Sequence, residues 1–379
     1  MWRGDANGRR LESVIEISAP DVVLDDVLWT PEDGVMPWAY PQYSRSQVDK
    51  AGQMICCEAP SSEDEDHALR VINNWRSSHS FPLNTFQMGL RNRSHRVDTS
   101  AIVAQRIKRL TSIKAKLINE PTMKLSKMQD IGGCRAVIDD VEAVYALRDA
   151  YRSSHLKHHL VKENDYIAEP KRSGYRSLHR VYRYMSDRED TYNGLQIEVQ
   201  MRSRLQHAWA TAVETVGTFL MQSLKASQGS AEWLRFFKLM GTAHALREGT
   251  VPVPGTPSSR PELVGALRRY VKRLNVDVRL RAYGTALDVP QMPEVRGAKY
   301  FLMELNLKPS QNTIRVESFA STQLPLATDR YLDIERALEG PGSEAVLVSV
   351  DSLSALRRAY PNYFLDTQAF LESVMVAIS

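Results

Sequence analysis

Cysteine is nearly missing from this chain. Cys56, Cys57 and Cys134 are its only three among 379 residues. That is too few for a disulfide framework, and the adjacent Cys56 and Cys57 lack zinc-ligand spacing. The nine histidines form no His-Glu-x-x-His motif and no pair beside a cysteine pair, so no structural metal is expected. No apolar run is long enough to span a bilayer. The opening MWRGDANGRRLESVIEISAP lacks the apolar core of a secretory signal. The cytoplasm is therefore the expected compartment, with no membrane partner. Charge of one sign is also lacking: the net charge is +4, so any nucleic-acid surface must be a local patch. Internal repeats are absent. The chain is 43% hydrophobic and 25% charged, ordinary for a globular protein, and has room for two or three domains.

Against these absences the stretch Asp165 to Trp209 stands out. It opens with a basic, glycine-broken loop, Lys171-Arg172-Ser173-Gly174-Tyr175-Arg176. Between Lys171 and Arg188 there are six Lys/Arg and one Asp, with Tyr175, Tyr182 and Tyr184 interleaved. Phosphates need such charges, and bases can stack on such rings. Leu195 to Arg202 then alternates strictly, which predicts a strand. Leu195, Ile197, Val199 and Met201 would share the buried face; Gln196, Glu198, Gln200 and Arg202 would share the polar one. Upstream, Met128-Gln-Asp-Ile-Gly-Gly-Cys-Arg-Ala-Val-Ile138 reads as a glycine turn before a short apolar strand. Asp130 would stand at the strand mouth, where a carboxylate can hold a metal.

Residues 99–118 track the helical period through Val103, Ile107, Leu110 and Leu117 and read as one helix. Lys108, Ser112 and Lys116 fall four apart and would share a face, with Arg106 on its flank. By itself that spacing reads rather as a solvated basic face. Further helices are expected over residues 67–75, 205–225 and 231–247. Ser44 and Gln47 have the spacing of a capping box. Cys57 to Asp66 reads as an exposed loop, and Pro82 as a break. His79, with no placed partner, reads as structural. Residues 251–261 are rich in Pro, Gly and Ser and read as a hinge.

The expected domains are an N-terminal arm (1–42), a main domain (43–226), a helix and linker (227–263) and a C-terminal domain (264–379). In the last, residues 300–305, 313–319 and 345–350 read as strands. Residues 261–274, 331–338, 353–358 and 367–378 read as helices. No carboxylate pair, nucleophile constellation or glycine cradle is present there, so it reads as a binding or regulatory module.

Three motifs in order, Asp130-Ile-Gly-Gly-Cys-Arg135, Lys171…Gly174-Tyr175-Arg-Ser-Leu-His179 and Glu198-Val-Gln200, resemble the RelA/SpoT-type alarmone synthetases over residues 43–225. The resemblance implies an α+β fold: a nucleotidyltransferase-like mixed sheet flanked by helices. It implies a pyrophosphokinase that takes ATP as donor, with Mg²⁺ on Asp130 and Glu198 and catalysis by Asp130, Glu198 and Gln200. The segment Arg106-x-Lys108-x₃-Ser112-x₃-Lys116 matches the family's ATP-holding pattern, joined by Arg135 and Lys171. Tyr175, Arg176 and His179 would meet the acceptor. No HD-type hydrolase is expected ahead of these motifs.

The C-terminal part resembles the fused toxin–antitoxin CapRel proteins, through Tyr360-Pro-Asn-Tyr363 and its general layout. That resemblance implies a small α/β pseudo-zinc-finger regulatory domain whose Tyr360 and Tyr363 hold the synthetase closed. The missing cysteines after Cys134 agree with a finger that holds no zinc. Val346 and Leu347 stand where the family has an apolar partner-binding patch. The implied activity is pyrophosphorylation of the tRNA 3′ CCA end, which stops translation. The implied trigger is a phage capsid or other phage protein, acting on a monomer. The alternative is a (p)ppGpp or (p)ppApp synthetase with a regulatory C-terminal domain. From the residues alone, the two tyrosines read equally as packing at a domain interface.

Overall fold

The computed structural model describes residues 38–57, 61–223, 230–285, 298–308, 311–338, 343–350, 353–361 and 367–379. The expected N-terminal arm lies almost wholly outside them. Tyr363 is also outside.

Twelve helices and eight strands are described. The helices are α1 (Arg45–Met54), α2 (Ser62–Ser78), α3 (Ser80–Val97), α4 (Leu110–Asn119), α5 (Val141–Arg152), α6 (Arg204–Ser223), α7 (Ser230–Arg247), α8 (Arg260–Leu274), α9 (Val276–Thr285), α10 (Leu324–Ala337), α11 (Leu353–Ala359) and α12 (Gln368–Ile378). The strands are β1 (Ile102–Ile107), β2 (Gly132–Ile138), β3 (His159–Asp165), β4 (Leu178–Arg183), β5 (Gln196–Ser203), β6 (Ala298–Lys308), β7 (Gln311–Ala320) and β8 (Ser343–Ser349). All eight strands join one sheet, ordered β3-β4-β5-β2-β1-β8-β6-β7. The pair β2–β5 is parallel and the others are antiparallel. The mixed α+β sheet flanked by helices is the expected class. The three C-terminal strands are not a separate layer: β8 pairs directly with β1.

The alternation of β5 explains its place. Ile197, Val199 and Met201 are fully buried against Phe86, Leu90 and their neighbours under α2 and α3. Each such side chain contributes roughly 1.5–3 kcal/mol. The opposite face of β5, β2 and β1 carries Glu198, Gln200, Arg135 and Arg106. That face continues onto β8, because Arg106 pairs with Val348 across the ladder, but there it turns apolar. Val137, Ala104, Val346, Val348, Phe301 and Met303 pack together under α11.

The capping box at Ser44 and Gln47 forms, with Ser44 N donating to Gln47 Oε1 at 2.9 Å and Gln47 N to Ser44 Oγ at 3.3 Å. Three expectations change. Residues 99–118 are strand β1 followed by helix α4, because Ile102, Val103 and Ala104 are buried in the sheet on both faces, where β-branched residues fit better than in a helix. Ser62 to Asp66 opens α2 instead of forming a loop; Ser61 caps it and Glu63, Asp64 and Glu65 favour its first turn. Pro82 does mark a break, which falls at His79 between α2 and α3: it cannot donate to the Ser78 carbonyl oxygen, and it sits in the first turn of α3, where no N–H is needed. Gly132 and Gly133 lie within β2 rather than in a turn. A Cβ at Gly132 would meet Ile197 Cδ1 at 2.8 Å and His79 Cβ at 3.4 Å, so Gly132 serves close packing. His79 is buried, with Nδ1 2.7 Å from the Trp75 carbonyl oxygen; burial holds its pKa down at about 4. The proline-rich stretch 251–261 is tied down through Val253, buried with its N–H on Thr242 Oγ1 at 3.0 Å.

Candidate active site

The polar face forms a cleft lined by Ala104, Arg106, Lys108, Asp130, Gly133, Cys134, Arg135, Glu198, Gln200 and Tyr360. Register explains its floor. Arg106, Gly133 and Glu198 form one row across β1, β2 and β5. The glycine in the middle leaves the row bare between a guanidinium and a carboxylate. Asp130 stands two residues before β2, at its mouth. The two acids expected to act together therefore do line one cleft.

Their surroundings differ. Lys108 Nζ reaches Asp130 Oδ2 at 2.7 Å and Lys116 Nζ reaches Oδ1 at 3.1 Å. Burial would raise the Asp130 carboxyl, but the two lysines outweigh it and hold it below the usual range. Glu198 is held in a closed ring of hydrogen bonds. His179 Nδ1 meets Glu198 Oε1 at 2.8 Å, and His179 Nε2 meets the Tyr175 hydroxyl at 2.6 Å. Arg202 Nη2 donates to that hydroxyl at 3.0 Å and to Gln200 Oε1 at 2.8 Å. Gln200 Nε2 closes the ring on Glu198 Oε2 at 2.6 Å. Burial again pushes Glu198 up, yet His179 and Gln200 bring it below its ordinary value, with Asp130 opposing them.

The basic loop is shaped by Gly174, which has φ +101° and approaches Gly241 of α7 so closely that a Cβ there would sit 2.7 Å from the Gly174 carbonyl oxygen. Lys171 is exposed, with Nζ 4.4 Å from the Tyr166 ring centroid and 5.4 Å from that of Tyr175. Tyr175 is half-buried, edge-on to Trp209 and His179. Arg176 does not join this group: its side chain is 2% exposed and pairs with Glu248 at 2.6 Å and with Thr250. It ties the loop to the end of α7 and has no free face for an acceptor. Ser112 and Lys116 lie on α4, Arg106 on β1 and Lys108 between them, so the expected single helical face is a strand–helix junction.

Tyr360 occupies the cleft from the C-terminal side. It is 2% exposed, its hydroxyl donates to the Gln105 carbonyl oxygen at 3.1 Å, and Arg135 lies over its ring at 4.6 Å. Arg135 also donates to the Ala359 carbonyl oxygen. Burial lowers Arg135 to about 10, with Tyr360 opposing and Arg202 and Arg106 reinforcing the shift, so it is charged at neutral pH. About 50 Å³ of free space is left in the cleft, against roughly 300 Å³ where ligand pockets begin. Val346 does not offer an apolar patch: it is 0% exposed, in β8 between β1 and β6. Leu347 is half-buried on the other face, against the core beneath α10.

Among the described residues no group of three or more His, Cys, Asp or Glu could hold a metal. Asp130 and Glu198 still suit Mg²⁺, which takes one or two carboxylates and completes its shell with water and substrate phosphate. The alternation of β5 places Arg202 on the polar face, two and four residues after Gln200 and Glu198, and that spacing is the signal in the sequence for its place in the ring. Arg76, described below, left no signal.

Residues 105–216 match the family model described as "Region found in RelA / SpoT proteins". GTP pyrophosphokinase YjbM of Bacillus subtilis (strain 168) is 34% identical over 114 residues, 29% of this chain and 52% of the relative. GTP pyrophosphokinase YwaC of the same organism is 31% identical over 111 residues, 28% of this chain and 52% of the relative. The chain thus spans about half the length of the curated relatives it matches. Among solved structures, small alarmone synthetase 1 from Bacillus subtilis bound to its product pppGpp aligns at 21% identity, over 54% of this chain and 94% of that one, with TM-score 0.33. A GTP pyrophosphokinase family protein from Streptococcus pneumoniae aligns at 24% identity, over 44% of this chain and 86% of that one, with TM-score 0.37. The cleft residues from Arg106 to Gln200 fall within the matched region, and Ala104 and Tyr360 line the cleft from outside it.

Proposed function

We propose that this protein is an ATP-dependent pyrophosphotransferase held closed by its own C-terminal segment, with the 3′-hydroxyl of the tRNA CCA end as acceptor. The observation that carries the enzymatic part is the shared cleft of Asp130 and Glu198, rimmed by Arg106, Lys108 and Arg135. Adenine stacks between the guanidinium planes of Arg106 and Arg135 once Tyr360 has left. Lys108, Ser112, Lys116 and Lys171 neutralise the phosphates. Asp130 and Glu198 are the residues that would hold Mg²⁺, which when bound offsets charge on the phosphate oxygens. Tyr175 stacks under the acceptor base, and His179 orients both Tyr175 and Glu198.

Glu198 accepts the proton of the acceptor hydroxyl. That oxygen bonds to the β-phosphorus of ATP, the bond from the β-phosphorus to the α–β bridging oxygen breaks, and AMP leaves with that oxygen. Little covalent work falls to the protein; positioning and charge supply the rate. The closed state follows from Tyr360, whose flat amphipathic ring takes the place of adenine against Arg135. A tethered plug acts at an effective concentration on the order of mM, so modest contacts suffice. Tyr363, Leu347 and the pseudo-zinc-finger character of this segment belong to the same reading, with a phage capsid or other phage protein as the releasing partner.

One observation favours a second acceptor. The matched relatives are GTP pyrophosphokinases, which supports a guanine nucleotide in place of tRNA. Incubating the Tyr360→Ala chain with ATP labelled at the γ-phosphate, and with tRNA or GDP, separates the two: label is expected on the tRNA 3′ end. Label on GDP alone would install the alternative, and no AMP with either acceptor would remove the enzymatic reading.

A further inference from the structure

Helix α4 carries Ser112 and Lys116, yet its own N-cap residue, Arg109, makes no side-chain cap hydrogen bond. Ser, Thr, Asp or Asn normally does that work. The missing acceptor comes from 225 residues away: Leu110 N donates to Glu335 Oε1 of α10 at 2.9 Å. A carboxylate at a helix N-terminus is also favoured by the helix dipole.

The same carboxylate is gripped by Arg76 of α2. Arg76 Nη1 donates to Glu335 Oε2 at 2.7 Å and Nη2 to Oε1 at 3.2 Å. Arg76 Nη1 also reaches Asn73 Oδ1 at 2.9 Å, Nη2 reaches the Tyr331 hydroxyl at 2.7 Å, and Nε reaches the Lys108 carbonyl oxygen at 3.0 Å. All five guanidinium N–H groups are thereby used. The Arg76 and Glu335 side chains are 2% and 6% exposed. A buried network this fully satisfied holds one geometry. Glu344 of β8 adds an ion pair to Arg109. The Lys108–Leu110 junction is thus held at a carbonyl, an N–H and a side chain, with both acids supplied from beyond residue 320.

We propose that Glu335 is a positioning residue for ATP: through Arg76 and the Leu110 N–H it fixes the junction and first turn that aim Lys108, Ser112 and Lys116 at the donor phosphates. This rests on the ATP-site reading above. The C-terminal segment is then both plug and part of the enzyme. Removing it would take away Tyr360 and the brace together, so a chain cut before α10 is not a clean activated form.

The experiment uses the full chain carrying Tyr360→Ala, with Glu335→Gln or Glu335→Leu added. Amide exchange at residues 110–113 reads the brace, and titration with a non-hydrolysable ATP analogue reads its consequence. Gln keeps an oxygen for Leu110 but loses the ion pair; Leu loses both. Exchange should rise in the order Glu, Gln, Leu. Analogue affinity should fall in the same order, by roughly tenfold for Leu, the scale of a lost cap. Turnover at saturating ATP should stay within about twofold, since bound ATP reorders the turn. Unchanged exchange with either variant overturns the brace, as does analogue affinity that ignores Glu335. If Glu335→Leu does not fold, Glu335→Gln alone decides. Should the Tyr360→Ala chain bind no analogue at all, the ATP-site reading fails and the proposed purpose of the brace with it, while a rise in exchange would leave the contact itself standing.

Discussion

The two halves of the sheet share a face but not a chemistry. On β5, β2 and β1 the face carries Glu198, Gln200, Arg135 and Arg106; on β8 and β6 it carries Val346, Val348, Phe301 and Met303 under α11. Arg106 and Val348 are paired residues, so the change occurs across a single ladder. The first half keeps its polar groups in hydrogen bonds and ion pairs around about 50 Å³ of free space. The second half buys rigidity with apolar burial and sends one aromatic ring, Tyr360, back across the boundary. The charged cleft sits where the face is costly to keep dry, and the ring that fills it comes from the half that is dry already.

The comparison breaks most sharply at Glu198. In the Tyr360→Ala chain, Glu198→Gln should lower AMP formation by on the order of 10²–10⁴, the share of a general base; a loss under tenfold would move the base elsewhere. Next is Tyr360 itself. Tyr360→Ala alone should tighten ATP-analogue binding by roughly a hundredfold or more, given an effective plug concentration on the order of mM, and calorimetry on the two chains measures it. Unchanged affinity would reduce Tyr360 to interface packing. Tyr175→Ala should raise KM for the acceptor by roughly tenfold or more, the worth of one stacked base, while ATP-analogue affinity holds; steady-state kinetics with varied acceptor decides.

The smallest effect concerns pH. Glu198 is depressed below the ordinary carboxylate range by His179 and Gln200 against the pull of burial. Being an acid with a lowered pKa, it stays ionised at and below its usual value and is lost only in more acidic solution. The acid limb of kcat/KM from Glu198 should therefore lie below about pH 4.3, the free-Glu value. His179→Gln removes a cause of the lowering, so the limb should move up in pH. A limb that stays put would detach His179 from Glu198.

Much of this was legible in the chain. The alternation of Leu195 to Arg202 located β5 and its polar face, and the Asp130 segment located the strand mouth. Residues 99–118 were not legible, because Val103, Ile107 and Leu110 satisfy a helical period while Ile102 to Ala104 are buried on both sides of a sheet, which erases alternation. Arg176 looked like a ligand group because a basic loop gives no sign of which cation turns inward to Glu248. Val346 was expected at an apolar patch through the family resemblance alone, and its burial by β1 and β6 depends on partners more than forty residues distant. Glu335 left no trace at all: a cap supplied from a distant helix has no local spacing to read.

That borrowed cap orders events while the protein is being made. A ribosome builds the RelA/SpoT-type region long before residue 335, so a half-finished molecule has an open slot but a donor helix with no acceptor at its first turn. Glu335 emerges before Tyr360, and at roughly 5–20 residues per second the ring follows within about one to five seconds. Throughout that earlier stretch of synthesis the first turn of α4 goes without its carboxylate, and the ring that fills the cleft follows that carboxylate within seconds.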